Sequence, residues 1–394
     1  MTESAPSAMS GFPLGARLTV AELTEDPHPA LAQLRESEPV SFVPALGGWL
    51  VTRFDLAARV LRDPLAFTVA DPRFTTARVV GPSMLSLDGP EHRWHRDPFA
   101  RALRDVRSPL ADAAERHAAG LVAQLAQAGS GSAELRRGLA GPLAVAVMAE
   151  MLGLDASADQ LLAWYDAIVA AVSALSGSAS AAVPEAAARA FGELTQHVMT
   201  ALSGGRESVL TVAAGSLETG EVVSNAAVLL FGGIETTEGL ISNAVWYLLG
   251  DQAAASEVRA DPRLTEAAVE EALRLEPAAA VVDRYAAADV VLGAAAIRRG
   301  DLVTVSLAGA NRDPSDFPDP DRFDLHRANA RQHLAFALGP HFCVGADLAR
   351  AEARAALGAL LAALPGLRLD PAHPSAPRGL VFRKPPALRV RWDG

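Results

Sequence analysis

The sequence predicts a mainly α-helical protein with small β-sheets, and three observations carry that prediction. Across residues 109–202 the apolar positions recur at helical spacing in an alanine-rich background. Residues 222–249 are apolar nearly all round, as in a helix buried inside a large protein. Strand-like alternation is confined to short runs, chiefly residues 39–52 and 289–305. With half of its 394 residues hydrophobic and 21% charged, the chain can bury a sizeable core, and its composition argues against disorder. The length allows one or two domains.

In chain order, residues 39–52 read as a hairpin turning at Gly47 and Gly48. The helical stretch 109–202 is punctuated at Gly129-Ser130-Gly131, at Asp155 and across 176–184. The apolar helix 222–249 closes at Gly250. Residues 265–275 form a further helix, with Thr265 as its N-cap and Pro277 as its stop. Alternation around Gly293 and Gly300 gives strands within 289–305, and 311–327 is a proline-rich irregular meander. Residues 348–364 return to helix, with Leu357, Leu360, Leu361 and Leu364 on one stripe, and Pro365-Gly366 ends it. A short β-rich tail runs through Val390 and Trp392.

A net charge of −11 disfavours nucleic acid and anionic lipid as partners. Cys343 is the single cysteine, so the chain builds no internal disulfide and no multi-cysteine metal site, which suits a reducing cytosol. The N-terminus carries Glu3 and lacks a basic segment followed by an apolar run, so no signal peptide is expected. The longest uncharged run, 167–184, is broken by serines and Gly177 and makes a poor membrane span. A cytoplasmic protein is expected.

Cys343 sits in Phe336-Ala337-Leu338-Gly339-Pro340-His341-Phe342-Cys343-Val344-Gly345, just before a helix whose N-terminus favours a thiolate. Two glycines let the backbone approach a flat ligand, Phe336 offers a packing surface and His341 a hydrogen-bond donor, a setting suited to iron held by one sulfur. Glu271 and Arg274 are helical neighbours; a solvated ion pair such as Glu270 with Arg274 is the plainer reading of such residues, but Glu271 shares a stripe with Ala268, Ala272 and Leu275 and needs a partner there. Gly232-Gly233-Ile234-Glu235-Thr236-Thr237 weakens the centre of the long helix by roughly 1 kcal/mol per glycine, which asks for a purpose or for close packing with threonines bonded back to the backbone. His92 and Arg96 share one face of a helix, in which Pro98 should introduce a kink. The histidines at 28, 117, 197, 326, 333 and 373 show no metal-ligand spacing.

The cysteine segment resembles the haem-binding loop of the cytochrome P450 family, Phe-x-x-Gly-x-His/Arg-x-Cys-x-Gly, departing only at Ala337, where glycine is usual. Glu271-x-x-Arg274 with Pro320-Asp321-Arg322-Phe323 resembles the family's structural triad of Glu271, Arg274 and Arg322. Gly232 to Thr237 resembles the oxygen-binding kink, in which Glu235 and Thr236 deliver protons. The resemblance spans residues 39–392 and implies the P450 fold, a single domain with a long central helix over a haem held by a cysteine loop: a sheet region about 1–75, a helical core about 76–275 and a mixed region about 276–394.

It further implies a haem-thiolate monooxygenase of the soluble bacterial type. Heme b (iron protoporphyrin IX) would be ligated by Cys343, framed by Phe336, Gly339, Gly345, Gly232 and Gly233, with His92, Arg96, Arg284 and His341 on its carboxylates. Two electrons would come from a ferredoxin and its reductase, docking on Arg331, Arg350, Arg354, Arg101 and Arg104 of a monomeric protein. The substrate would be a hydrophobic natural-product intermediate, hydroxylated or epoxidised in a pocket drawn from Leu229, Ala278, Ala279, Val281, Val282, Val381 and Phe382, with the loop before the His92 helix and residues 167–180. A peroxide-driven peroxygenase and a cysteine-ligated haem sensor are the rival readings; Glu235-Thr236 argues for the monooxygenase.

Overall fold

In the computed structural model, which describes residues 11–129, 131–175, 182–205 and 207–393, the N-terminal hairpin forms as the sequence predicts. Val40–Val43 pairs antiparallel with Gly48–Val51, and Gly47 makes the turn at φ 67°. These strands open a five-stranded sheet that continues through Leu302–Ser306 and Val281–Ala286 to Phe67–Thr68. Only the junction of Gly48–Val51 with Leu302–Ser306 is parallel. Trp49, Val51, Phe67, Val303 and Val305 are buried under it with Leu292 and Leu334, each apolar side chain contributing about 1.5–3 kcal/mol. The strand Val281–Ala286 escaped the sequence reading because Asp283 and Arg284 interrupt its alternation. Asp283 accepts from Thr304 Oγ1 at 2.7 Å, and burial pushes its carboxyl up.

The residues cluster into two compact units, each assembled from separate stretches of chain. The first comprises Met1–Thr68, Gly239–Cys343 and Gly366–Asp393, and holds the five-stranded sheet and the meander. The second comprises Val69–Glu238 and Val344–Pro365 and is almost wholly helical. Within it Ala346–Ala363 lies against Arg107–Gln127, where buried alanines at 113, 114, 118, 353 and 356 permit close approach.

The alanine-rich stretch resolves into Arg107–Gln127, Gly141–Leu152, Ala158–Leu175 and Glu185–Ser203, with a π-helical turn, Arg136–Ala140, that periodicity does not reveal. Ser130 and residues 176–181, part of the expected punctuation and pocket wall, lie outside the described residues.

The long apolar helix is Thr219–Gly250 and runs unbroken through Gly232–Thr237. Gly89–Asp105 likewise stays helical across Pro98. Thr265 is not an N-cap: the helix Thr265–Leu275 grows straight out of a 3-10 turn, Pro262–Leu264, which Asp261 caps. Among the described residues, no helix is long and apolar enough to cross a membrane, and no cluster of three or more metal-ligating side chains forms.

Candidate functional site

The cysteine loop belongs to the first unit and is shaped by two left-handed residues. Gly339 (φ 71°) admits no side chain, since a Cβ would lie 2.6 Å from Leu61 O and 3.0 Å from Arg62 Cα. Ala337 adopts φ 57°, so the methyl that departs from the family pattern costs backbone strain of about 1–2 kcal/mol. Ala337 N–H donates to Leu334 O at 2.8 Å, and Cys343 N–H closes the loop on Phe336 O at 2.9 Å. Leu334, fully buried, is anchored by its own N–H to Asn311 Oδ1 at 2.6 Å. The result is an exposed Cys343, beside a 41% exposed Phe342 whose ring tilts 6.4 Å from that of Phe336. His341 is half-buried, and Gly345 starts the helix Ala346–Ala363.

The meander that leads to this loop is tied down by Arg274, which is fully buried. Its Nε and Nη2 grip Glu271 at 2.8 and 2.7 Å, and it also donates to the carbonyls of Asn311, Pro320 and Arg322. The third side chain of the triad is not Arg322, as the sequence suggests, but Arg327, whose Nε meets Glu271 Oε1 at 2.9 Å. Arg322 enters through its carbonyl, because the meander turns that backbone, and not its side chain, toward Arg274. Glu270 does not pair with Arg274 in solvent either: it is buried and meets His333 at 3.1 Å.

The first unit also brings together the expected pocket residues of two distant segments. Ala279 bridges to Phe382, Ala280 N–H donates to Val381 O at 2.8 Å, and Arg383 N–H to Ala278 O at 2.9 Å. Ala278 is buried, Val281 and Val282 half-buried, and Val381 44% exposed. Sequence reasoning missed what holds this turn: Arg383, 2% exposed, binds Glu276 Oε1 at 2.6 Å. Burial opposes the charge on Glu276, but His28, Arg383 and Arg312 overcome it and hold the carboxyl at about 2.

In the second unit, Leu229, Gly232, Gly233, Glu235 and Thr236 follow one another along the central helix. Thr236 Oγ1 donates back to Gly232 O at 2.5 Å. Gly233 is filled by Met148, whose sulfur would overlap any added Cβ, whereas a Cβ on Gly232 meets nothing within 4 Å. Glu235 is buried. Glu238, a turn away and unforeseen, binds Arg136 Nε at 2.6 Å. On Gly89–Asp105, His92 is buried and Arg96 half-buried.

Of the remaining arginines, Arg284 is buried and donates to Asp283 O at 2.8 Å. Arg350 and Arg354 are half-buried, not on an exposed face as expected, and Arg331 is engaged by Glu266. Arg101 and Arg104 are exposed.

A family model described as Cytochrome P450 matches residues 199–377. The cytochrome P450 monooxygenase PikC of Streptomyces venezuelae is 34% identical over 94% of this chain and 92% of its own length. The chain belongs to the cytochrome P450 family. Mycinamicin IV hydroxylase/epoxidase of Micromonospora griseorubida is 34% identical over 91% of this P450 and 94% of its own length. The solved structure of P450 CYP109B1 from Bacillus subtilis is similar at a TM-score of 0.79 and 28% identity, covering 93% of this chain and all of that one. The fold is that of the family, and the protein is an oxidoreductase of the monooxygenase class.

A P450 works with a haem, and the residues present fit one. The chain's single thiol is exposed at the end of a loop that strained backbone and a packed glycine hold open.

Proposed function

We propose that this monooxygenase uses Cys343 as the iron ligand of a non-covalent heme b, and hydroxylates or epoxidises a bulky hydrophobic molecule of a natural-product pathway. The observation that carries the reading is the cysteine loop, which spends backbone strain at Ala337 and a close-packed glycine at 339 to expose one thiol. A covalently attached c-type haem would call for a second cysteine, which the chain lacks. His92, Arg96, Arg284 and His341 would bind the haem carboxylates. Bound there, a thiolate-ligated haem supplies dioxygen activation, the sulfur's electron donation favouring cleavage of the oxygen–oxygen bond.

The chain's own residues supply protons and position. Thr236 Oγ1 commits its hydrogen to Gly232 O, so an incoming proton is taken on an oxygen lone pair and the hydroxyl hydrogen is released as the side chain turns. Glu235, buried next to it in the chain, is the carboxylate that feeds that oxygen. The electrons come from a separate ferredoxin and reductase, and Arg101, Arg104 and Arg331 are the members of the expected docking patch exposed to such a partner.

The substrate class is supported by the small apolar character of Ala278, Ala279, Val281 and Val282, and by relatives named for mycinamicin IV and for 20-oxo-5-O-mycaminosyltylactone. Reduced protein under carbon monoxide should show the long-wavelength Soret band of thiolate ligation, and Cys343→Ser should lose it. A band only at the histidine-ligated position overturns the ligand assignment. Compounds that shift the Soret band of the resting protein identify the substrate.

A further inference from the structure

Residues 81–88 form the loop that leads into Gly89–Asp105, and within the second unit one hydrogen bond ties its centre to the long helix. Met84 N–H donates to Asn225 Oδ1 at 2.8 Å. Asn225 is fully buried; its Nδ2 donates to Glu221 O at 2.7 Å and faces His95 Nδ1 at 2.9 Å. These contacts settle which atoms carry protons. A backbone N–H can only donate, so Asn225 must turn its oxygen to Met84. Its amide nitrogen then faces the imidazole, so Nδ1 must be the bare acceptor and the ring proton must sit on Nε2, 3.5 Å from Glu221 Oε1.

A second proton on the ring can go only to Nδ1, where it would meet the N–H of Asn225, donor against donor. Turning the amide over would satisfy His95 but leave Met84 N–H against an NH2 group. Charged His95 and the Met84–Asn225 bond are therefore mutually exclusive. We propose that His95, Asn225 and Met84 form a proton-operated latch, closed while His95 is neutral, that holds the 81–88 loop against the central helix.

The surroundings keep it closed near neutral pH. Burial pushes His95 down from its ordinary value, and this outweighs Glu221 on the central helix and Glu91 on its own helix, which both favour the cation. Trp94 Nε1 shares Glu221, 3.3 Å from Oε1. The neighbouring helix Val209–Ala214 contains no ionisable residue, and no charge on Arg107–Gln127 contributes to the shift. A histidine whose folded pKa is depressed contributes stability above its unfolded value of about 6.5 and loses it as pH falls. Acidification therefore opens the latch.

The functional half of the inference rests on the proposed reading that this loop walls the substrate pocket: the latch then sets how fast ligands enter. The test is amide hydrogen exchange at Met84 in the intact protein, corrected for intrinsic rates. Between about pH 8 and about pH 5.5 the wild type should lose roughly tenfold in protection, the scale of one hydrogen bond. His95→Asn, which offers an oxygen near the place of Nδ1 but takes no proton, should keep its protection at both values. Asn225→Asp accepts from Met84 and welcomes the charged ring, so its protection should not fall on acidification. Unchanged protection in the wild type, or loss in His95→Asn equal to that in the wild type, overturns the latch. Entry is read with the holoprotein and a phenyl triazole that stays neutral across this range: its association rate should rise on acidification in the wild type and not in His95→Asn. An exchange response without a rate response refutes the pocket-wall reading and leaves the latch standing.

Discussion

Replacing Arg274 by alanine should cost more than removing any single side chain of the meander that it ties down. All five N–H donors of this guanidinium are used, two on Glu271 and three on the carbonyls of Asn311, Pro320 and Arg322. Breaking a buried ion pair costs about 3–5 kcal/mol. The lower end applies here, because Arg327 Nε and Asp324 N–H, at 2.9 and 3.1 Å, continue to hold Glu271 Oε1. Three carbonyls lose a charged donor at about 1 kcal/mol each, which brings the total to roughly 6 kcal/mol. Domain stabilities lie near 5–15 kcal/mol, so this loss takes away roughly two-fifths of the fold's stability or more. Arg327→Ala leaves the bidentate grip of Arg274 intact and should cost only about 1–3 kcal/mol. Guanidinium unfolding followed by circular dichroism measures both. If Arg274→Ala unfolds within about 1 kcal/mol of the wild type, or Arg327→Ala proves the costlier change, the ranking of the two arginines is wrong.

Glu352 is 2% exposed, its Oε2 meets no hydrogen-bond partner among the described residues, and burial raises its carboxyl well above the usual 4.5. The folded chain therefore holds a proton that the unfolded chain releases, and stability falls as pH rises above that ordinary value. Glu352→Gln should raise Tm by an amount that grows with pH; parallel curves for the two proteins would contradict this. Gly232→Ala should stabilise the apoprotein by about 0.5–1 kcal/mol through helix propensity, while Gly233→Ala should cost about 1–3 kcal/mol against Met148. Shifts of the same sign in thermal melts would show that the two glycines are not distinguished by packing. Thr236→Ala should bind substrate normally but divert NADH consumption into hydrogen peroxide, and an unchanged yield of product per NADH would remove Thr236 from proton delivery.

What the sequence discloses depends on how locally it is encoded. The cysteine loop is legible because its glycine spacing, the thiol and the following helix fall within a few residues, and the structure adds only that Ala337 strains the backbone there. The long helix is legible through its apolar composition, but the packing that requires glycine at 233 comes from Met148, far away in the chain. The choice between Arg322 and Arg327 as partner of Glu271 depends on the path of an irregular meander, which no periodicity describes. His95 and Asn225 stand 130 positions apart, and no local pattern of the sequence joins them. The strand Val281–Ala286 acquires its pairing from Leu302–Ser306 and from Phe67–Thr68, so its own residues understate it.

The interleaving of the two units bears on how the chain is made. The chain passes from one to the other after Thr68, inside the central helix after Glu238, directly after Cys343 and after Pro365. Trp49 leaves the ribosome 254 residues ahead of Val303, its parallel partner in the sheet. At about 5–20 residues per second, the first hairpin waits roughly 10–50 s for the strand that completes its sheet. Arg107–Gln127 waits comparably long for Ala346–Ala363. During that interval neither unit can close its core, and apolar faces stay open to wrong partners, so chaperone capacity should limit the yield of this protein more than the stability of its finished fold. For the same reason a chain that lacks these late partners should not fold: limited proteolysis of nascent chains arrested before Leu302 should find no protected core of either unit.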